Sequence, residues 1–299
     1  MSARLSPSTL VLLTLPPLLW AGNSMVGRWI HEQVPPMTLN LLRWALAFLI
    51  LLPLAHRVLR PGSVLWPLWR RMAVLGLLSI GAYNTLQYLA LQTSTPINVT
   101  LVASSMPVWM LIMGRLFHAE PVRGRQIAGA LLSIAGVVLV LSRGEWEVLT
   151  QFRLVPGDGY VLLATMAWAV YSWMLARPVE PAELRGDWAA FLMGQVLFGL
   201  GWSALFAGAE WALTPAHIAW SWPVAAAIAF IAVGPAVVSY RCWGAGIQRV
   251  GPQLAGFFAN LTPLFAALMS TYFLNEAPRL YHLLAFVLIV GGIVVSSKR

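Results

Sequence analysis

Ten apolar stretches follow one another along the chain, centred near residues 18, 48, 82, 107, 133, 168, 198, 234, 263 and 289. Each is long enough to cross about 30 Å of hydrocarbon at about 1.5 Å per residue, so the pattern predicts ten membrane-spanning helices and an all-α membrane protein. Two stretches are interrupted by polar groups. The third carries Tyr83, Asn84, Gln87 and Tyr88, and the eighth carries Ser239, Tyr240 and Arg241. Polar groups at bilayer depth need partners or water, which marks these two as cavity-lining helices. The first helix is expected to bend at Pro16-Pro17.

The apolar pattern also repeats. An offset of about 156 residues carries Pro96 onto Pro252, Pro107 onto Pro263, Glu120 onto Glu276 and Gly136 onto Gly292. An offset of about 148 sets Trp20-Ala21 and Ser24 over Trp168-Ala169 and Ser172. The chain therefore divides into residues 1–145 and 155–299, each with five helices. An odd number of spans ends on the opposite side of the membrane from its start, so the second half is expected to run upside down relative to the first, around a central cavity. The repeat also bears on the start of the chain. Leu10 to Leu19 followed by Ala21-Gly22 has the look of a cleaved leader, but its counterpart near Tyr160 to Arg177 is internal, which favours a retained helix.

Composition agrees: 59% of the residues are hydrophobic and 10% charged, against roughly 25% charged in soluble domains. The net charge of +9 comes from arginines scattered singly between apolar runs, without the continuous patch that nucleic acid requires. They act as orientation signals. With the N-terminus in the cytoplasm, Arg4, Arg57, Arg60, Arg70, Arg71, Arg115, Arg123, Arg125, Arg177, Arg185, Arg249, Lys298 and Arg299 all fall inside the cell. Only Arg28, Arg143, Arg153 and Arg279 fall outside, so both termini are expected in the cytoplasm of an inner-membrane protein. The sole cysteine, Cys242, offers neither a disulfide nor a cysteine metal site.

No acidic residue falls at a predicted midplane; all ten lie in loops or at helix ends. A buried carboxylate is the usual proton carrier in a membrane antiporter, because burial moves its titration into the working range. Proton coupling thus has no embedded carrier, leaving Glu120, Glu276 and Asp158 as the peripheral candidates. What the midplane offers is aromatic and neutral. Trp20 and Asn23 share a face of the first helix, as Trp168 and Tyr171 do in the sixth. Tyr83, Gln87 and Tyr88 line the third helix, Ser239, Tyr240 and Trp243 the eighth, and Trp109 and Asn260 lie beside the paired prolines of the fourth and ninth. Around one axis these groups form a pocket for a neutral or zwitterionic solute with an apolar ring. The competing reading makes many of the 15 tryptophans interface anchors, and Trp44, Trp66, Trp69, Trp202, Trp211, Trp220 and Trp222 are assigned to anchoring or packing.

Pro107 and Pro263 each remove a backbone donor in mid-membrane and are read as kinks, either gate hinges or static bends. Pro96 and Pro252 are placed in the first turns of the fourth and ninth helices, with Gly251 giving the second connection freedom. Arg43 and Arg241 lie within spans, and both are assigned to snorkelling toward the interface; for Arg43 the alternative is pairing with a substrate carboxylate. Gly129, Ser133 and Gly136, and Gly291-Gly292, make small-residue faces for helix packing.

The stretch YLALQTSTPINVTLVASSMPVWMLIMGRLFHAEPVRGRQIAGALLSIAGVVLV and its second version GPQLAGFFANLTPLFAALMSTYFLNEAPRLYHLLAFVLIVGGIVV resemble the EamA-type branch of the drug/metabolite transporter superfamily. The likeness covers the whole chain. It implies ten helices in two inverted halves, with helices 1, 3, 4, 6, 8 and 9 around the cavity and 5 and 10 at the periphery. The opening WAGNSMVGRW and the aromatic third helix are similar to bacterial aromatic amino acid exporters. Small multidrug members use a glutamate in the first helix, where this chain has Trp20, Asn23 and Ser24. The resemblance therefore implies export of aromatic or other hydrophobic amino acids by alternating access, with small-molecule substrates and membrane lipids as partners. An exporter of amphipathic drugs or other metabolites is the alternative. No enzyme, cofactor or metal site is expected, because no convergent catalytic or ligating set is visible at depth, and the protein is either a monomer or a homodimer.

Overall fold

The computed structural model describes residues 5–90, 93–94, 96–150, 153–273 and 279–297, and of residues 88, 96, 97, 146 and 271–273 only the backbone. Among the described residues there are helices and turns and no strand. We label the long helices α1 (Pro7–Trp29), α2 (Pro36–Ala55), α3 (Trp69–Gly76, Leu77–Ala82 and Tyr83–Ala90 in one run), α4 (Pro96–Ala103 and Met106–His118) and α5 (Gly124–Leu141). After them come α6 (Pro156–Ala176), α7 (Trp188–Leu213), α8 (Trp222–Ile231, Ala232–Val238 and Ser239–Val250), α9 (Pro252–Ala259 and Leu261–Phe273) and α10 (Leu280–Ser297). Among the described residues nine of these, all but α3, are long and apolar enough to cross a membrane. In α3, Ser79, Asn84, Thr85 and Gln87 make the run less apolar than the others, as the interrupted sequence pattern suggests. The chain is an all-α membrane protein.

Helix starts are held by side chains near and far. Ser6 accepts from the Thr9 N–H at the head of α1, and Asp187 accepts from Ala189 and Ala190 at the head of α7. The head of α2 has Pro35 as its cap, which has no side-chain acceptor. Glu210, at the far end of α7, supplies one instead: its carboxylate takes the Met37 N–H at 3.0 Å, the Thr38 N–H at 2.8 Å and the Thr38 hydroxyl at 2.8 Å. An anion there also meets the positive end of the helix dipole. α1 runs unbroken through the buried Pro16 and Pro17.

α5 and α10 pack against each other by close backbone approach. A Cβ on Gly129 would stand 2.6 Å from the Gly292 carbonyl, one on Gly292 2.6 Å from the Gly129 carbonyl, and one on Gly136 2.9 Å from the Ala285 carbonyl. The small-residue faces thus serve packing inside the protomer. The partners exchange under the sequence offset, since Gly129 corresponds to Ala285 and Gly136 to Gly292.

The paired prolines do not kink continuous helices. α4 is broken at Ser104–Ser105 and α9 at Asn260, and Pro107 and Pro263 fall in the first turn of the pieces that follow. Ser105 and Asn260 adopt the same conformation, φ −70° and ψ −4°, and the breaks close by short-range bonds from Ser105 N to Val102 O and from Asn260 N to Phe257 O. Proline favours a break over a bend because it cannot donate to the carbonyl four residues back, here Ala103 and Ala259, yet fits a first turn. The two breaks touch: Asn260 Nδ2 donates to Ser104 O at 3.2 Å and to Ser133 Oγ at 2.9 Å. Gly251, between α8 and α9, has φ +80°, a conformation that glycine alone adopts readily, and Pro252 opens α9.

Candidate substrate site

Near the middle of α6, Trp168 is 2% exposed and lies against five other rings. Its centroid is 4.8 Å from Tyr83, 5.0 Å from Tyr171, 5.4 Å from Trp20, 5.4 Å from Tyr240 and 5.8 Å from Trp243. Trp20 also meets Trp243 at 5.5 Å. Six of the aromatic residues singled out from the sequence therefore form one cluster, contributed by α1, α3, α6 and α8. Trp20 and Trp168, equivalent under the shorter offset, cross edge to face at an interplanar angle of 87°, a favoured geometry for ring pairs. Trp168, Tyr171, Tyr240 and Trp243 are buried and the rings lie against one another, so they fill the centre in this conformation.

The polar edges of the rings are held by backbone that two wide turns release. Leu77–Ala82 in α3 and Ala232–Val238 in α8 are π-helical. Such turns shift the hydrogen-bond ladder and occur often at functional sites. The Tyr240 hydroxyl donates to Ser79 O at 2.9 Å, and the Trp20 indole N–H donates to Pro235 O at 3.3 Å. Ser79 and Pro235 are equivalent under the longer offset. Trp243 Nε1 donates to Ser172 Oγ at 3.1 Å and the Tyr171 hydroxyl to Gln195 Oε1 at 3.0 Å. Gln87 is half-buried one turn beyond Tyr83 on α3.

Other sequence candidates lie elsewhere. Ser239 is buried and turns back to Gly234 O at 3.1 Å. Asn260 sits at the α9 break, and Trp109, four residues past the α4 break, buries its indole nitrogen with no partner. Asn23 is half-buried one turn beyond Trp20, away from the ring contacts. The Tyr88 and Pro96 side chains and Glu276 lie outside the described residues.

Two residues of α2 belong here as well. Of the two roles read for Trp44, anchoring or packing, it takes packing: it is 0% exposed and its ring lies 4.8 Å from Tyr240. Arg43 does not snorkel: it is 2% exposed, its guanidinium carbon lies 5.2 Å from the Trp44 centroid, and its Nε and one terminal nitrogen have no hydrogen-bond partner. Arg241, by contrast, is exposed and stacks 4.4 Å over Trp188. The overlooked signal was Asn40, one turn before Arg43, which with it makes a polar stripe on an otherwise apolar helix. α2 thus joins the centre, beyond the six helices that the resemblance implies.

Ion pairs gather where the arginine-rich loops meet. Arg71 Nε bonds Glu180 at 2.5 Å and its terminal nitrogen reaches Met174 O and Arg177 O, while Arg177 meets Glu120 at 2.5 Å. Arg185, in the short turn Ala182–Gly186, donates to Leu175 O and stacks on Phe191. Burial lowers its affinity for a proton, and the Glu180 charge acts the other way. At the opposite end Asp158 is buried and accepts from Ser94 Oγ at 2.5 Å, Asn98 Nδ2 at 3.4 Å and Val155 N at 2.9 Å.

Long apolar helices, two of them broken where they touch, around a buried aromatic and polar centre define a membrane transporter. The chain belongs to the EamA-like transporter family, whose sequence profile matches residues 7–142 and again 155–298. An uncharacterized transporter of Archaeoglobus fulgidus is 24% identical over 99% of each chain. The aromatic amino acid exporter YddG of Ancylobacter novellus is 27% identical, over 78% of this chain and 76% of that one. A crystal structure superposes with a TM-score of 0.75 at 24% identity over 96% of each chain, which shows the shared fold.

Proposed function

We propose that this transporter exports aromatic or other hydrophobic amino acids across the inner membrane, by alternating access of two inverted five-helix halves, residues 1–145 and 155–299. The observation that carries the reading is the convergence of Trp20, Tyr83, Trp168, Tyr171, Tyr240 and Trp243 on one centre, with ring separations of 4.8 to 6.2 Å. In a conformation open to one side, the same rings separate and offer faces to the substrate's ring. Support for inverted halves comes from the exchanged glycine contacts of α5 and α10 and from the family profile matching twice. The breaks at Ser104–Ser105 and Asn260 are the hinges in this reading, and the arginine-rich ends of the helices face the cytoplasm. The relative named as an aromatic amino acid exporter supports the substrate class.

Uptake by proteoliposomes across a panel of amino acids tests the reading. Tryptophan, phenylalanine and tyrosine should outcompete alanine and threonine as substrates. Equal rates across the panel, or movement of lipophilic drugs alone, would replace it with a general metabolite or drug exporter.

A further inference from the structure

We propose that Arg43 is the receptor for a carboxylate on the transported solute, an inference that rests on reading the aromatic cluster as the substrate site. Arg43 lies seven residues into α2, about 10 Å from its start at Pro36 at about 1.5 Å per residue. It is 2% exposed and ends in a guanidinium cation. A charge taken from water into a membrane interior is costly unless something pairs with it. No carboxylate among the described residues does, and the contact its charge makes is with the face of the Trp44 ring, 5.2 Å away. Its Nε and a terminal nitrogen lack partners, and the buried carboxylates are engaged elsewhere: Glu180 with Arg71, Glu210 at the head of α2, Asp158 with Ser94 and Asn98.

The groups beside Arg43 are unfilled in a complementary way. The buried Trp44 indole nitrogen has no acceptor. One turn earlier, Asn40 gives both amide hydrogens away, to Ile80 O at 3.0 Å and Ser203 Oγ at 3.1 Å, and its Oδ1 is left without a donor. The stripe therefore presents guanidinium and indole donors together with one fixed acceptor. A guanidinium fork matches a carboxylate with two parallel bonds, and an amide oxygen can take an ammonium proton. Trp44 contacts Tyr240, and Tyr240 contacts Trp168, so an anion held at Arg43 places an attached ring against the aromatic cluster. The site thus selects aromatic solutes that carry a carboxylate and disfavours lipophilic cations, which the Arg43 charge repels.

Competition against labelled tryptophan on the purified protein reads this directly, with tryptamine lacking the carboxylate and indole-3-propionate lacking the ammonium group. Indole-3-propionate should compete within about tenfold of tryptophan, and tryptamine should be weaker by about tenfold or more, the size expected for losing a charge-assisted pair. Arg43→Gln should erase the difference between the two analogues, and Arg43→Lys should keep its direction at reduced affinity. Tryptamine competing as well as indole-3-propionate in the native protein would overturn the carboxylate receptor while leaving the amino acid reading intact. Thermal stabilisation by benzoate gives a readout independent of indole binding. If no indole compound binds but benzoate stabilises the native protein and not Arg43→Gln, the receptor stands and the tryptophan reading falls. Absence of both responses overturns both. Should Arg43→Gln not fold, the analogue series on the native protein still decides.

Discussion

At the scale of single residues, position in the ring cluster separates side chains that hold the protein together from those that the proposed function assigns to selectivity. Trp168 touches five rings and is almost fully buried, so Trp168→Ala should cost about 3–5 kcal/mol of stability and lower the melting temperature before any transport defect can be read. Trp20 and Tyr83 are half-buried at the margin of the same cluster. Trp20→Ala and Tyr83→Ala should leave the fold intact and remove ring contacts worth about 0.5–1.5 kcal/mol each, a several-fold loss for tryptophan with little change for alanine. Transport of both substrates by each variant checks this, and an equal loss for the two would place these rings outside the substrate path. The rings of α1, α3, α6 and α8 were legible in the sequence because they recur at helical spacing in two copies. For Arg43 and Trp44 the sequence left an interface and an interior reading open, because a basic residue beside a tryptophan a few turns from a helix end has the same composition whether it faces lipid headgroups or the interior. Only the rotation of α2, set by its contacts with α7 and α8, separates the two.

At the scale of elements, the interruptions in α3, α4, α8 and α9 matter more than the helices they interrupt. The sequence marked all four helices as irregular, from polar residues in two and prolines in the other two, but it read the prolines as kinks and did not show the π turns. The form they take involves contact with another helix: Asn260 at one break donates to Ser104 O at the other, so a hydrogen bond joins the two breaks. The π turns gave no sequence signal of their own, since their widened ladder is stabilised by Tyr240 and Trp20 arriving from other helices. If the breaks are hinges, Pro107→Ala and Pro263→Ala each restore a donor for the carbonyl four residues back, favour fusion of the two pieces and slow transport while insertion is retained. Initial rates per inserted molecule measure this. Unchanged rates in both variants would make the breaks fixed features of the centre.

At the scale of the whole molecule, two consequences follow from where the charges lie. In the proposed orientation the α1–α2 connection lies outside the cell and the turn Ala182–Gly186 inside. Glu32, with a side chain 82% exposed, and the exposed Glu183 are suitable labelling points, whereas Ser94 is buried against Asp158. Glu32→Cys should react with an impermeant maleimide added outside and Glu183→Cys only after permeabilisation, the native Cys242 being buried; the reverse pattern would invert the topology. The second consequence concerns energy coupling. Among the described residues the acids near the helix ends hold structure: Glu210 caps α2, Asp187 caps α7, Asp158 joins the α3–α4 connection to α6, and Glu180 and Glu120 bind arginines. A carboxylate that must load and release a proton in each cycle cannot also keep such bonds through the cycle without undoing the element it holds. Counterflow of labelled tryptophan in liposomes should therefore proceed without a pH gradient and persist when a protonophore is added. Asp158→Asn and Glu210→Gln should lower stability by about 1–3 kcal/mol, by weakening charge-assisted bonds, yet leave the ratio of rates with and without a gradient unchanged. Exchange that stops with the protonophore, or a variant that turns gradient-dependent exchange into gradient-independent exchange, would identify the proton carrier and end the uncoupled mechanism.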